Sequence, residues 1–192
     1  MGPRADARGT AVRRRRLLAD ASGAVVEVGA GTGLNLRHYP PAVRDVLAIE
    51  PDPSMFRRLA ASLPQASVPV RLSRAGVEAI PTDDASIDAV VFSFVLCTVE
   101  DQAAALAAAR RVLRSDGRLL LFEHVRAAEP RLSRWQDRLE RPWGLVAGGC
   151  HPNRDTVAAV EAAGFRIEAL EAFDEPGAML ARPHVLGTAV PA

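Results

Sequence analysis

A short segment constrains this chain more than any other: Glu27-Val28-Gly29-Ala30-Gly31-Thr32-Gly33, which directly follows an apolar run at residues 25–28. An apolar run of that length ending in glycines reads as a buried parallel strand. Glycines there let the chain turn sharply and let its backbone approach a ligand closely. The spacing narrows the choice of ligand. A dinucleotide fingerprint sets its third glycine five residues after the first, whereas here Gly33 follows Gly29 by four, and the G-K-[ST] of a phosphate-binding loop is missing. Glu27 would repel a pyrophosphate but can hold an ammonium group. Glu50 ends the next apolar run, residues 46–49, seventeen positions beyond Gly33. A carboxylate at that place can accept hydrogen bonds from both hydroxyls of a ribose.

The rest of the chain repeats this alternation. Residues 68–72, 87–96, 118–125, 165–173 and 183–190 read as strands, and residues 34–39, 54–63 and 102–113 read as helices. Asp101 is placed to cap the 102–113 helix, and Asn153 or Asp155 to cap one that ends at Gly164. Ser115-Asp116-Gly117 reads as a turn. Alternating strands and helices imply a parallel sheet covered on both faces. The last two strands have no helix between them and are expected as an antiparallel pair at one end. Ligands of such sheets bind beyond the carboxyl ends of the strands, near the switch in strand order.

Composition excludes several classes. The 192 residues make one domain, expected as a tail and short helix over 1–20 and a globular domain over 21–192. All 24 basic residues are arginine, yet the formal net charge is only +1. No strong field therefore argues for nucleic acid, and no N-P-P-[YF] segment follows the fourth strand. No apolar stretch approaches the ~18 residues of a membrane span. Arg13 to Arg16 read as a solvated helix face or arm, with a membrane-surface patch as the other reading. Two cysteines, Cys97 and Cys150, are too few for a disulfide framework or a zinc site, so no metal and a reduced, cytoplasmic setting are expected.

The E-x-G-x-G-x-G loop, the acidic end of the second strand and Leu113-Arg114-Ser115-Asp116-Gly117 together resemble the class I S-adenosylmethionine-dependent methyltransferases, over roughly residues 20–190. The resemblance implies a Rossmann-like, doubly wound α/β sheet of seven strands in the order 3-2-1-4-5-7-6, with strand 7 antiparallel. It also implies S-adenosylmethionine as cofactor and S-adenosylhomocysteine as product. The cofactor site then takes in Glu27, Gly29, Ala30, Gly31, Gly33, Asn35, Glu50, Pro51, Gly76, Val77, Phe94, Val95 and Leu96. One departure stands out: the family's adenine-binding acid falls on Gly76, which leaves the adenine to backbone around Gly76 and Val77 or to Glu78.

Further features are similar to the methyltransferase-like alkyl thiol S-methyltransferases of animals: residues 95–99, Glu123-His124-Val125, Trp135, Gln136, Pro142-Trp143, Gly149-Cys150 and Arg182-Pro183-His184. The hydrophobic anchor at the N-terminus of those enzymes has no counterpart in this sequence. The resemblance implies transfer of a methyl group to a small-molecule thiol. An O-, N- or C-methyltransferase acting on a secondary metabolite, quinone or lipid head group shares the more general features. A non-catalytic cofactor-binding protein is disfavoured by the intact Glu27, Gly29, Gly31 and Glu50.

A thiol of pKa ~8.5 already supplies some thiolate at neutral pH and needs only a modest base or a positive neighbour. His124 and His151 are the catalytic candidates, each with the alternative of satisfying backbone hydrogen bonds. Cys97, His124, Trp135, Trp143, Cys150 and His184 are the candidates for the acceptor pocket. Residues 126–152 are expected to cover it, with a homodimer left open as an aid to the cover.

Overall fold

The computed structural model describes residues 10–192, and the tail expected over 1–20 lies outside the described residues up to position 9. Helix α1 (Ala11–Leu18) leads into β1 (Gly23–Val28), followed by β2 (Val43–Ile49), α2 (Pro53–Ser62), β3 (Val70–Ser73), β4 (Ile87–Ser93) and α3 (Gln102–Val112). The chain continues through β5 (Leu113–His124), α4 (Pro130–Val146), α5 (Thr156–Ala162), β6 (Phe165–Asp174) and β7 (Pro183–Pro191). Asp101 and Asp155 cap α3 and α5 by accepting the N–H groups of Ala104 and Ala158, both at 3.0 Å.

The seven strands form one sheet in the order β3-β2-β1-β4-β5-β7-β6. The first five are parallel, and β7 runs antiparallel to both β5 and β6. Because side chains alternate across a strand, each strand feeds two cores. Val26, Val28, Ile49, Val90, Phe92 and Leu121 pack on one face with α3. Val25, Val46, Ala48, Val91, Leu120 and Phe122 pack on the other with Leu17 and Leu18 of α1 and Leu59 of α2. Glu27 shares the pleat parity of Val25, so its carboxylate faces α1. That single fact of register puts an acidic group beside the arginine-rich helix.

Three local expectations change. Residues 34–39 supply only a 3₁₀ turn, Leu36–His38, before Pro40-Pro41. The run 87–96 stops being strand at Ser93, because Phe94 takes φ +62° and turns the chain. Ser115-Asp116-Gly117 is not a separate turn but part of β5. Ile87 pairs with Leu113 and Ala89 with Arg118, so three extra residues bulge out of the ladder between them.

Candidate active site

Strand order reverses beside β1, and the carboxyl ends of β1, β2, β4 and β5 surround a cavity of about 780 Å³. The glycine loop forms one wall. Gly29 and Gly33 hold φ values of +60° and +77°. A Cβ on Gly29 would lie 2.6 Å from Val95, and one on Gly33 would lie 2.1 Å from the Ser62 hydroxyl. The loop is therefore wedged between the turn after β4 and α2, and only glycine fits both positions. Glu50 anchors it: its carboxylate accepts Gly31 N–H at 2.8 Å and Asp52 N–H at 2.9 Å, one on each oxygen. Each oxygen keeps a lone pair for the cavity, the arrangement a vicinal diol would meet.

Glu27 is buried deeper, at 2% exposure. One oxygen accepts Asn35 Nδ2 at 2.9 Å and the other accepts the Tyr39 hydroxyl at 2.8 Å. Burial pushes its carboxyl up to about 7, against the lowering pull of Tyr39, Arg14 and Asn35. Burial and the neighbouring Glu27 likewise push the Tyr39 phenol well above its ordinary value.

Arg14 is the residue that reading the sequence missed. The arginine run is neither one solvated face nor one surface patch. Arg13 pairs with Glu175 and lies 4.2 Å over the Phe173 ring, and Arg16 pairs with Glu171. Arg14 is buried, lines the cavity, and donates to Asn35 Oδ1 at 2.7 Å and Ser93 Oγ at 3.1 Å. A signal existed: Leu17 and Leu18 follow Arg14 by three and four positions, so a helix that buries those leucines also turns Arg14 inward.

Opposite the glycine loop the wall is built by Glu123. This buried carboxylate accepts the backbone N–H groups of Val95, Leu96 and Cys97 at 2.8, 3.1 and 3.2 Å. Charge-assisted bonds of this kind contribute about 1.5–3 kcal/mol each. The positive φ of Phe94 costs roughly 1–3 kcal/mol. The three bonds outweigh the strained turn and hold it. Even so, burial leaves the Glu123 carboxyl above its ordinary value, the three amides and His124 only partly offsetting it.

That turn carries Cys97 to the pocket, where two other segments meet it. Cys97 Sγ lies 3.5 Å from His124 Nδ1 at the end of β5, and Cys150 Sγ, from the loop after α4, lies 3.3 Å from the same nitrogen. A hydrogen bond from the Cys97 thiol, with His124 close by, draws the Cys150 thiol down and raises Cys97 correspondingly. His151 N–H donates to Cys97 O at 2.7 Å, and Arg154 donates to the carbonyls of Leu96 and Val99 at 2.7 and 2.6 Å. On the α4 side, buried Gln136 accepts Ala127 N–H at 2.8 Å and donates to Leu180 O at 2.9 Å. Gln136 also donates to Val125 O, just beyond β5, at 3.2 Å, so the segment expected as a cover is tied to the end of β5 and to the turn before β7.

Of the residues expected at the site, Glu27, Gly29, Ala30, Gly31, Glu50, Pro51, Val77, Phe94, Val95, Cys97, His124 and Cys150 line the cavity. Gly33, Asn35 and Leu96 stand behind that wall, Asn35 acting through Glu27. Gly76, Trp135, Trp143, His151 and His184 are not among the lining residues. The His151 ring turns away to pair with Glu140. His184 donates from Nδ1 to Arg182 O at 2.8 Å and packs edge-on to His124 at 4.7 Å; burial, then His124, pushes its pKa down to about 4. Trp135 is 54% exposed on the outer side of α4, so it is no lid, whereas Trp143 sits beside Cys150. Asp52 and Met55 also line the cavity without having been expected, and Ala147 and Gly148 reach it from the expected cover.

A doubly wound sheet with this strand order, this glycine loop and acidic ends on β1 and β2 defines the class I S-adenosylmethionine-dependent methyltransferases. Residues 26–121 match the methyltransferase domain family, and the chain belongs to it. Thiol S-methyltransferase TMT1A of Homo sapiens is 36% identical over 172 residues, which cover 86% of this chain and 70% of that protein. The ubiquinone/menaquinone biosynthesis C-methyltransferase UbiE of Citrifermentans bemidjiense is 33% identical over 109 residues, 54% of this chain and 46% of that one. Among solved structures, the YcgJ protein of Bacillus subtilis superposes with a TM-score of 0.73 at 14% identity, covering 94% of this chain and 98% of that one. Among the described residues no helix is long and apolar enough to cross a membrane.

Proposed function

We propose that this enzyme methylates the sulfur of a small, largely apolar thiol. The observation that carries the proposal is the likeness to a named thiol S-methyltransferase, which runs through both walls of the cavity. The likeness to a quinone C-methyltransferase spans only about half the chain. The cavity fits S-adenosylmethionine: Glu50 offers lone pairs for ribose hydroxyls, Arg14 and Glu27 offer opposite charges for an amino acid end, and Val77 and Met55 offer apolar contact for a base. When bound, that cofactor supplies a methyl group on a positively charged sulfur.

The chain's own residues supply position and dryness. Phe94, Val95 and Ala147 present apolar surface at the acceptor end. Alignment of the acceptor and exclusion of water are the main demands of a direct displacement. Cys97, His124 and Cys150 form a polarisable, proton-sharing wall against which a thiol can lie. Residues 126–152 act as the cover, Ala147, Gly148 and Cys150 being the part that reaches the cavity. Two free buried thiols suit a reducing, cytoplasmic setting.

The test is a panel of alkyl thiols, phenols and amines incubated with purified protein and methyl-labelled cofactor. Label should pass to alkyl thiols. Transfer to oxygen or nitrogen acceptors alone would sink the proposal.

A further inference from the structure

Counting cysteines hides what the fold does with them. Cys97, His124 and Cys150 come from three segments, and their ligand atoms all lie within 4.8 Å of one another. Each histidine–sulfur separation, 3.5 and 3.3 Å, is close to the ~3.6 Å edge of a tetrahedron with Zn–S at ~2.3 Å and Zn–N at ~2.05 Å. All three residues are buried, at 1%, 6% and 4% exposure, and all three line the cofactor cavity.

We propose that Cys97 Sγ, His124 Nδ1 and Cys150 Sγ bind one zinc ion, whose fourth position opens into the cavity and takes the acceptor's sulfur. Ligand softness favours zinc over magnesium or calcium. Two cysteine thiolates and a neutral imidazole bring its charge to zero, which suits a site walled by Phe94 and Val95. Three protein ligands with one open position is the arrangement of a reactive rather than a structural zinc centre. The scaffold is rigid where a metal site needs it. Glu123 fixes the turn that carries Cys97, and the His151 N–H bond to Cys97 O ties that turn to the Cys150 loop.

The occupant of the fourth position rests on the thiol reading above; the metal site itself does not. As the acceptor enters, its S–H bond breaks, its sulfur replaces a water on zinc, and the proton leaves to solvent. Zinc then keeps the sulfur a thiolate inside an apolar cavity where it would otherwise recover its proton. A thioether has no charge to bind with and leaves the metal readily. One ion would thereby both ionise the acceptor and release the product.

Elemental analysis of protein purified without a metal-affinity tag or chelator should find one zinc per chain. Cys97→Ser, Cys150→Ser and His124→Ala should each lose most of it, while His151→Asn, which only alters the Glu140 pair, should keep it. Because the site variants could misfold, the unmutated protein loaded with cobalt provides a second measurement. It should show thiolate-to-cobalt absorption and the visible bands of a tetrahedral ion, and both should shift when an alkyl thiol is added without cofactor. Failure to take up zinc or cobalt with both thiols freely reactive overturns the site, as does a Cys97–Cys150 disulfide in the isolated protein. Bound metal with a spectrum indifferent to thiols overturns the open position. Metal bound as expected but no thiol methylated in the panel overturns the thiol reading while the metal site stands.

Discussion

The two ends of the cavity are built in opposite ways. The cofactor end is mostly one continuous piece of chain: Glu27, the glycine loop and Asn35 lie within nine positions, and Glu50 follows at the end of the neighbouring strand. The acceptor end is assembled from Cys97, His124 and Cys150, which stand 27 and 26 positions apart and meet only in the fold. Hydrogen bonds between loop and strand hold the first together. At the second, a buried carboxylate, helped by Arg154 and the His151 N–H, holds a strained turn. A site of the first kind tolerates change in the rest of the fold; a site of the second kind depends on it.

The largest expected effect probes that dependence. Glu123→Ala leaves three buried N–H groups without an acceptor. An orphaned buried donor costs about 1–3 kcal/mol, so the loss is at least about 3 kcal/mol, or roughly 6–12 °C in melting temperature for a domain of this size. Differential scanning calorimetry reads it directly. Released from Glu123, Phe94 should relax from positive φ, and Cys97 should leave His124, so methyl transfer should disappear in whatever protein still folds. A melting point within two degrees of the parent would show that the turn is held by something else.

Glu50→Ala makes the opposite cut. It removes the proposed contact to the cofactor and a clamp on Gly31 and Asp52, at a loop already wedged by Val95 and Ser62. Two bonds to a charged acceptor, about 1.5–3 kcal/mol each, are lost on the ligand side, so cofactor affinity should fall by roughly 100-fold or more. Titration calorimetry with S-adenosylmethionine measures it. Melting temperature should move far less than in Glu123→Ala. An unchanged affinity would remove Glu50 from the ribose site, and a collapse of the fold as deep as that of Glu123→Ala would erase the contrast between the two ends.

The same contrast explains what could be read before the structure was known. The glycine loop and the caps, Asp101 and one of Asn153 and Asp155, are local signals, and the missing helix before residue 183 marked β6 and β7 as an antiparallel pair, whereas the strand order came only with the family resemblance. Arg14 was hidden because its role depends on which face of α1 meets β1, a matter of tertiary docking. The left-handed turn at Phe94 was hidden because a strand-like apolar run says nothing of the φ at which it stops. Two cysteines made too few ligands in the sequence. Pairing β4 with β5 and returning α4 toward the sheet gave them a histidine. His151, in no regular element, was a weaker candidate than His124 on paper, and the pull of Glu140 turns its ring from the cavity.

The smallest effect expected belongs to the cofactor end and concerns pH. Glu27 has a folded-state pKa of about 7 against an ordinary 4.5. The folded protein therefore holds that proton more tightly than the unfolded chain does. The stability tied to it is fully present below about pH 4.5 and is lost as pH rises through about 7. A cofactor whose ammonium group sits on Glu27 favours the carboxylate and so reverses the trend. Near pH 6 about nine-tenths of the free enzyme would have to lose a proton before binding, so cofactor affinity should be weaker at pH 6 than at pH 8 by a factor approaching ten. Glu27→Gln should flatten the curve, because no proton is then exchanged, and should hold affinity at or below the low-pH level throughout. Calorimetric titrations at pH 6, 7 and 8 separate the two proteins. An unmutated enzyme with the same affinity at all three would place the ammonium elsewhere, leaving Glu27 as an anchor for Asn35 and Tyr39 alone.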